Sequence, residues 1–206
     1  MGSKTAECVL FALAGCGALP LAESGDDAPN PPAASPGEDL HHRAGQVLVE
    51  ARGFGGVPIL QKSLLWDGNG QVDNFGAGGR VLYSAGSFFA IGAGLNGILF
   101  KTLDHDTIAA EFETIGRGYL YHWSGYRVFW DLTGGWEQAN HQVPEGGTQW
   151  NMTFSFGPGV EIPLAGGRNL VIGGRYHHMS NALGRMNDRN PSQNEGRFFL
   201  GYAWEF

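Results

Sequence analysis

The chain has 206 residues, of which 34 are glycine, 12% are aromatic and only 16% are charged, with a formal net charge of −7. That length suits one domain with an extended tail and excludes two ordinary domains. The aromatic content excludes a disordered chain, the glycines follow no collagen-like period, and no basic patch suggests nucleic acid as a partner.

Lys4 precedes an apolar run, CVLFALAGCGALPLA, from Cys8 to Ala22. It is too short to span a bilayer as a helix and reads as an export signal over residues 1–22. Within it LAGC, Leu13 to Cys16, resembles the processing box of bacterial lipoproteins, which implies acylation at Cys16; ordinary cleavage near Ala22 is the alternative. Cys8 is lost either way, so the mature chain holds at most one cysteine and no internal disulfide. Residues 23–45 hold Glu23, Asp26, Asp27, Glu38 and Asp39 among prolines and alanines, without apolar periodicity, and read as a disordered linker. His41 and His42 there have no partners in the pattern. The folded part is expected over residues 46–206.

From Gln46 onward the chain alternates. In WNMTFSF, Trp150, Met152, Phe154 and Phe156 share one face, and Asn151, Thr153 and Ser155 the other. In IAAEFETIGRGYL, Ile108, Phe112 and Leu120 oppose Glu111, Glu113 and Arg117. A soluble sandwich turns the apolar face inward and a membrane barrel turns it outward, so alternation fits both. Candidate strands fall at 46–53, 74–85, 87–100, 107–122, 126–139, 148–163, 169–181 and 195–206. The second, fourth and sixth connections are short, and the first and seventh are long. The first contains an LLW run at Leu64 to Trp66, either a strand extension or an interfacial anchor.

The chain ends FFLGYAWEF, placing Phe198, Leu200, Tyr202, Trp204 and Phe206 on one face. This resembles the terminal strand of bacterial outer-membrane barrels, and implies the outer membrane as the location and recognition of Phe206 by the barrel assembly machinery. With an export signal ahead of it, the expected fold is an all-β, eight-stranded antiparallel transmembrane barrel with aromatic girdles. Such a barrel is filled by side chains and too narrow for an aqueous channel.

In the seventh strand Leu170, Ile172, Tyr176, His178 and Ser180 share the apolar, lipid-facing parity, whereas Arg175 and His177 point inward. A histidine and a serine two residues apart on one strand face are a candidate base and nucleophile. Facing lipid, they require a lipid substrate. The adjacent pair His177 and His178 faces opposite ways and cannot jointly chelate a metal. GAGG at Gly76 to Gly79 lacks the context of a phosphate loop.

Residues 175–206, with HMSNA, a loop containing Asn190 and Pro191, and an aromatic last strand, resemble the lipid A 3-O-deacylases, the PagL-like family, whose signature is His-X-Ser-Asn near the C-terminus. The resemblance implies an eight-stranded barrel that hydrolyses the ester-linked acyl chain at the 3 position of lipid A, with Ser180 as nucleophile, His178 as base, lipopolysaccharide as partner and no cofactor or metal. The family orients its His with a Glu on the last strand. Glu195 is the carboxylate near that place, although parity puts Asn194 on the face of Phe198 and Phe206. A bulge at the strand start could turn Glu195 outward, which is the favoured reading, and Asn194 acting as an amide is the alternative. Asn181, Asn190 and the backbone of Ala182 are oxyanion-hole candidates, and Arg185 and Arg189 are candidates for lipid A phosphates. The competing functions are a catalytically weak or inactive lipid-binding barrel of the same fold, with a homodimer as one option, and a soluble exported barrel holding an apolar ligand inside.

Overall fold

The structure, a computed structural model, describes residues 44–59, 72–102, 105–123, 125–181 and 192–206. The expected export signal, Cys16, the linker to Arg43, the LLW run, and Ala182, Arg185, Arg189 and Asn190 lie outside them. Eight strands follow in order: β1 (Val47–Pro58), β2 (Asp73–Gly86), β3 (Phe89–Lys101), β4 (Asp106–Trp123), β5 (Tyr126–Val143), β6 (Thr148–Leu164), β7 (Arg168–Ser180) and β8 (Gln193–Glu205). Each pairs antiparallel with the next, and β8 pairs with β1, closing the barrel. Reciprocal backbone bonds between Phe206 and Val47, at 2.9 and 3.1 Å, extend that closure to the last residue.

Side-chain period decides the faces. Trp150 and Met152 are nearly half exposed, while Asn151, Thr153 and Ser155 are buried. Phe75, Leu95, Ile108, Leu120, Phe198 and Leu200 are exposed on the outer wall, and Arg80, Glu111, Glu113, Arg117, Glu195 and Arg197 of the same strands are buried inside. Apolar outside and charged inside is the polarity of a membrane barrel. It overturns the soluble alternative, which needed an apolar interior.

β1 runs longer than expected and β4 breaks its alternation, each for a physical reason. β1 continues past Gly53, where the candidate strand ends, through Gly55 and Gly56 to Pro58. Gly56 makes room: a Cβ there would come within 2.9 Å of the Asn74 and Glu195 side chains, which meet in front of it. In β4 the register slips between Tyr119 and Tyr121. The extra residue leaves both Leu120 and Tyr121 exposed on the outer wall, so strict alternation ends there.

Aromatic rings and ions fill the interior. The Phe129 ring occupies the space a Cβ on Gly159 would need, 2.2 Å away, which fits a narrow lumen packed large against small. Around it Arg80 reaches Glu113 and Asp131, Arg117 reaches Glu50, Asp131 and Glu161, and Arg175 reaches Asp131. Every group in this tier is essentially closed to solvent.

Glu137 stands apart. It is fully buried, sits directly opposite Glu111 across β4 and β5, and neither of its oxygens has a hydrogen-bond partner among the described residues. Like charges facing each other on one sheet face destabilise it, and a buried acceptor without a donor costs more. Glu137→Gln keeps the shape and removes the charge. The variant barrel is expected to be more stable by about 1–3 kcal/mol, read as a higher urea midpoint in micelles; an unchanged or lower midpoint contradicts this.

Candidate functional site

The site lies at the end of the barrel that carries the longer connections, where β7 finishes and β8 begins. His178 pairs with Asn194 on β8 and with Phe154 on β6, and Ser180 pairs with Met152. Val171, Arg175 and His177 are buried toward the lumen, while Ile172 is 43% exposed on the wall. By that alternation His178 and Ser180 face outward, as their parity predicted. They are nonetheless buried, at 3% and 7% exposure, and so are Asn181 and Asn194.

His178 Nδ1 lies 2.8 Å from Asn194 Oδ1. Against an amide oxygen Nδ1 is the donor, so the ring hydrogen sits there and Nε2 keeps its lone pair. That is the tautomer a general base needs. The Tyr176 hydroxyl also donates to Asn194 Oδ1. The Tyr176 ring rests against Phe156 with centroids 5.3 Å apart, and Phe156 stacks on Trp130. Tyr176 was read from the sequence only as a lipid-facing residue; no local signal marks its bond to a residue eighteen positions away.

The favoured third member, Glu195, is corrected by the geometry. The register of β7 and β8 runs without a break from Arg168↔Trp204 to Met179↔Gln193, so no bulge turns Glu195 outward. It points into the lumen, where Oε1 lies 3.0 Å from His177 Nδ1 and 2.8 Å from an Arg197 nitrogen. Gln193 and Asn74 donate to its other oxygen. On its opposite edge His177 meets Glu111 at 3.2 Å. The His–His pair therefore divides its partners across the wall: His177 has two carboxylates inside and His178 has an amide outside.

Gln193 explains why β8 starts two residues earlier than expected. Its amide donates to the Val72 carbonyl and accepts from the Val72 N–H, at 2.8 and 3.1 Å, tying the end of the first connection to β8. Among the oxyanion candidates only Asn181, at the end of β7, lies within the described residues. Among those residues no group of three or more His, Cys, Asp or Glu side chains is arranged to hold a metal ion.

Farther down the same wall an apolar groove of about 680 Å³ opens between β5, β6 and β7. Val128, Pro158, Val160, Ile162, Ile172 and Gly174 line it. Gly174 is six residues before Ser180 on β7, about 20 Å along the strand.

No family profile matches the chain, and no curated protein does. Among solved structures it is similar to the outer membrane protein OprG from Pseudomonas aeruginosa, at 11% identity and a TM-score of 0.51 over 81% of this chain and 98% of that one. It is also similar to Neisserial surface protein A, at 14% identity and a TM-score of 0.56 over 78% of this chain and 96% of that one. What they share with this chain is its architecture, and with its apolar wall and charged lumen the protein is a small bacterial outer-membrane β-barrel.

Proposed function

We propose that the barrel is an esterase of the outer membrane that hydrolyses the 3-O-linked acyl chain of lipid A. The observation that carries the reading is the outward His178, held by Asn194 with Nε2 left basic, two residues before an outward Ser180. Ser180 attacks the ester carbonyl as His178 takes its proton; His178 then returns the proton to the sugar oxygen as it leaves, and water releases the acyl group in a second, equivalent step. A site on the outer wall meets a substrate that never leaves the membrane, and an apolar groove lies farther down the same wall. The resemblance of HMSNA to the PagL-like signature supplies the substrate class, with Asn194 standing where that family uses a carboxylate.

Asn181 next to the nucleophile is the oxyanion donor in this reading, joined by Ala182 and Asn190; Arg185 and Arg189 are the proposed partners of lipid A phosphates, and Phe206 of the assembly machinery. The test is a mass spectrum of lipid A from cells carrying the wild-type protein or Ser180→Ala. Wild type is expected to shift lipid A down by one hydroxyacyl chain, and Ser180→Ala to leave it intact while still folding as a heat-modifiable barrel. Lipid A unchanged by the wild-type protein supports the second reading, a non-catalytic barrel of this fold, which the amide in place of a carboxylate favours.

A further inference from the structure

We propose that Tyr176 is a positioning residue of this site, setting which end of the Asn194 amide faces His178; the proposal rests on the esterase reading for its rate consequence alone. Two donors converge on Asn194 Oδ1, the Tyr176 hydroxyl and His178 Nδ1, the latter at 2.8 Å. Asn194 is completely buried, so solvent does not compete for that oxygen.

The need for such a device follows from amide chemistry. A carboxylate offers two equivalent acceptor oxygens, and any rotation presents one to the imidazole. An amide has one acceptor end and one donor end. Turned over, Asn194 would aim its NH₂ at Nδ1, the ring hydrogen would move to Nε2, and His178 could no longer accept a proton from Ser180. The Tyr176 hydroxyl biases that choice: a phenol donates more strongly than it accepts, so it favours the orientation that turns Oδ1 toward it and His178. Tyr176 stands two residues before His178 on the same outward face, and its ring is fixed by Phe156, which is stacked in turn on Trp130. The hydroxyl is thereby brought to one spot by packing that does not involve the reacting groups.

The experiment is Tyr176→Phe measured in two backgrounds. In the wild-type background kcat for acyl release is expected to fall about tenfold with KM unchanged, since the ring remains and only the hydroxyl is lost. In an Asn194→Asp background, where both ends of the side chain accept, the same change is expected to alter kcat by less than about twofold. A purely structural role for the hydroxyl would cost the same in both backgrounds, and that result overturns the proposal. So does an unchanged kcat in the wild-type background. Imidazole ¹⁵N shifts of His178 read the tautomer without turnover: the Nδ1–H form is expected in the wild type and a mixture with Nε2–H in Tyr176→Phe. An unaltered tautomer defeats the positioning role even if the barrel proves inactive, whereas release that survives Ser180→Ala defeats the esterase reading and leaves the tautomer result standing.

Discussion

Replacing His178 with alanine is expected to lower acyl release from lipid A by about 10⁴-fold or more, with the barrel still folded. Groups that act as a unit in a nucleophilic site lose nearly all of their joint effect when one is removed, and the residual rate comes from binding and oxyanion stabilisation. The neighbouring histidine is an internal control. His177 has the same chemistry and is one peptide bond away, yet it lies in the lumen between Glu111 and Glu195. His177→Ala is expected to weaken the barrel and, among molecules that remain folded, to keep release within about tenfold of wild type. The measurement is free 3-hydroxy fatty acid per folded barrel, with folding scored by gel mobility before and after heating. Equal losses in both variants would mean that His178 acts through the fold, and a rate retained in His178→Ala would remove the base from the mechanism.

The same division of faces shows what the sequence could and could not convey. Period two over Trp150 to Phe156 was visible because each residue declares its side by its neighbours. Which side met lipid was invisible locally, and the structure answers it through buried charges contributed by seven of the eight strands, β3 adding only the polar Asn96. The candidate first strand stops at Gly53, short of the end of β1 at Pro58; in the barrel Gly56 is the clearance for an Asn74–Glu195 contact, and that contact joins residues 121 positions apart. For the third member of the site two arguments diverged. Parity pointed to Asn194, and the chemistry of imidazolium stabilisation favoured the carboxylate of Glu195. The unbroken register of β7 and β8 sides with parity. Glu195 is committed to His177, Arg197, Gln193 and Asn74, and turning it outward would break all four of these contacts.

In a lipid environment the outer wall gains little from burial, because acyl tails are as apolar as the leucines they touch. What holds this barrel closed is its unbroken ring of interstrand hydrogen bonds, with the ion network filling the lumen. Arg117 ties four strands together in it: fully buried, it lies 2.8 Å from both Asp131 and Glu161 and 3.1 Å from Glu50, joining β1, β4, β5 and β6, with its guanidinium 3.8 Å from the Phe129 ring centre. Arg117→Met keeps much of the bulk and removes the charge. Asp131 retains Arg80 and Arg175, and Glu161 retains Arg127 and the Tyr119 hydroxyl, but Glu50 loses its only ion pair among the described residues and remains a buried charge. Breaking a buried pair from one side typically costs about 3–5 kcal/mol, far more than the pair contributes as a whole. The unfolding free energy of the barrel is expected to fall by that amount, read as a lower urea midpoint. Because the cost comes from the stranded carboxylate, it should shrink when Glu50→Gln is already present, by about 1–3 kcal/mol of coupling in a double-mutant cycle. Additive losses would place the effect in packing against Phe129, and an unchanged midpoint would mean that lumen ions do not hold the strands together.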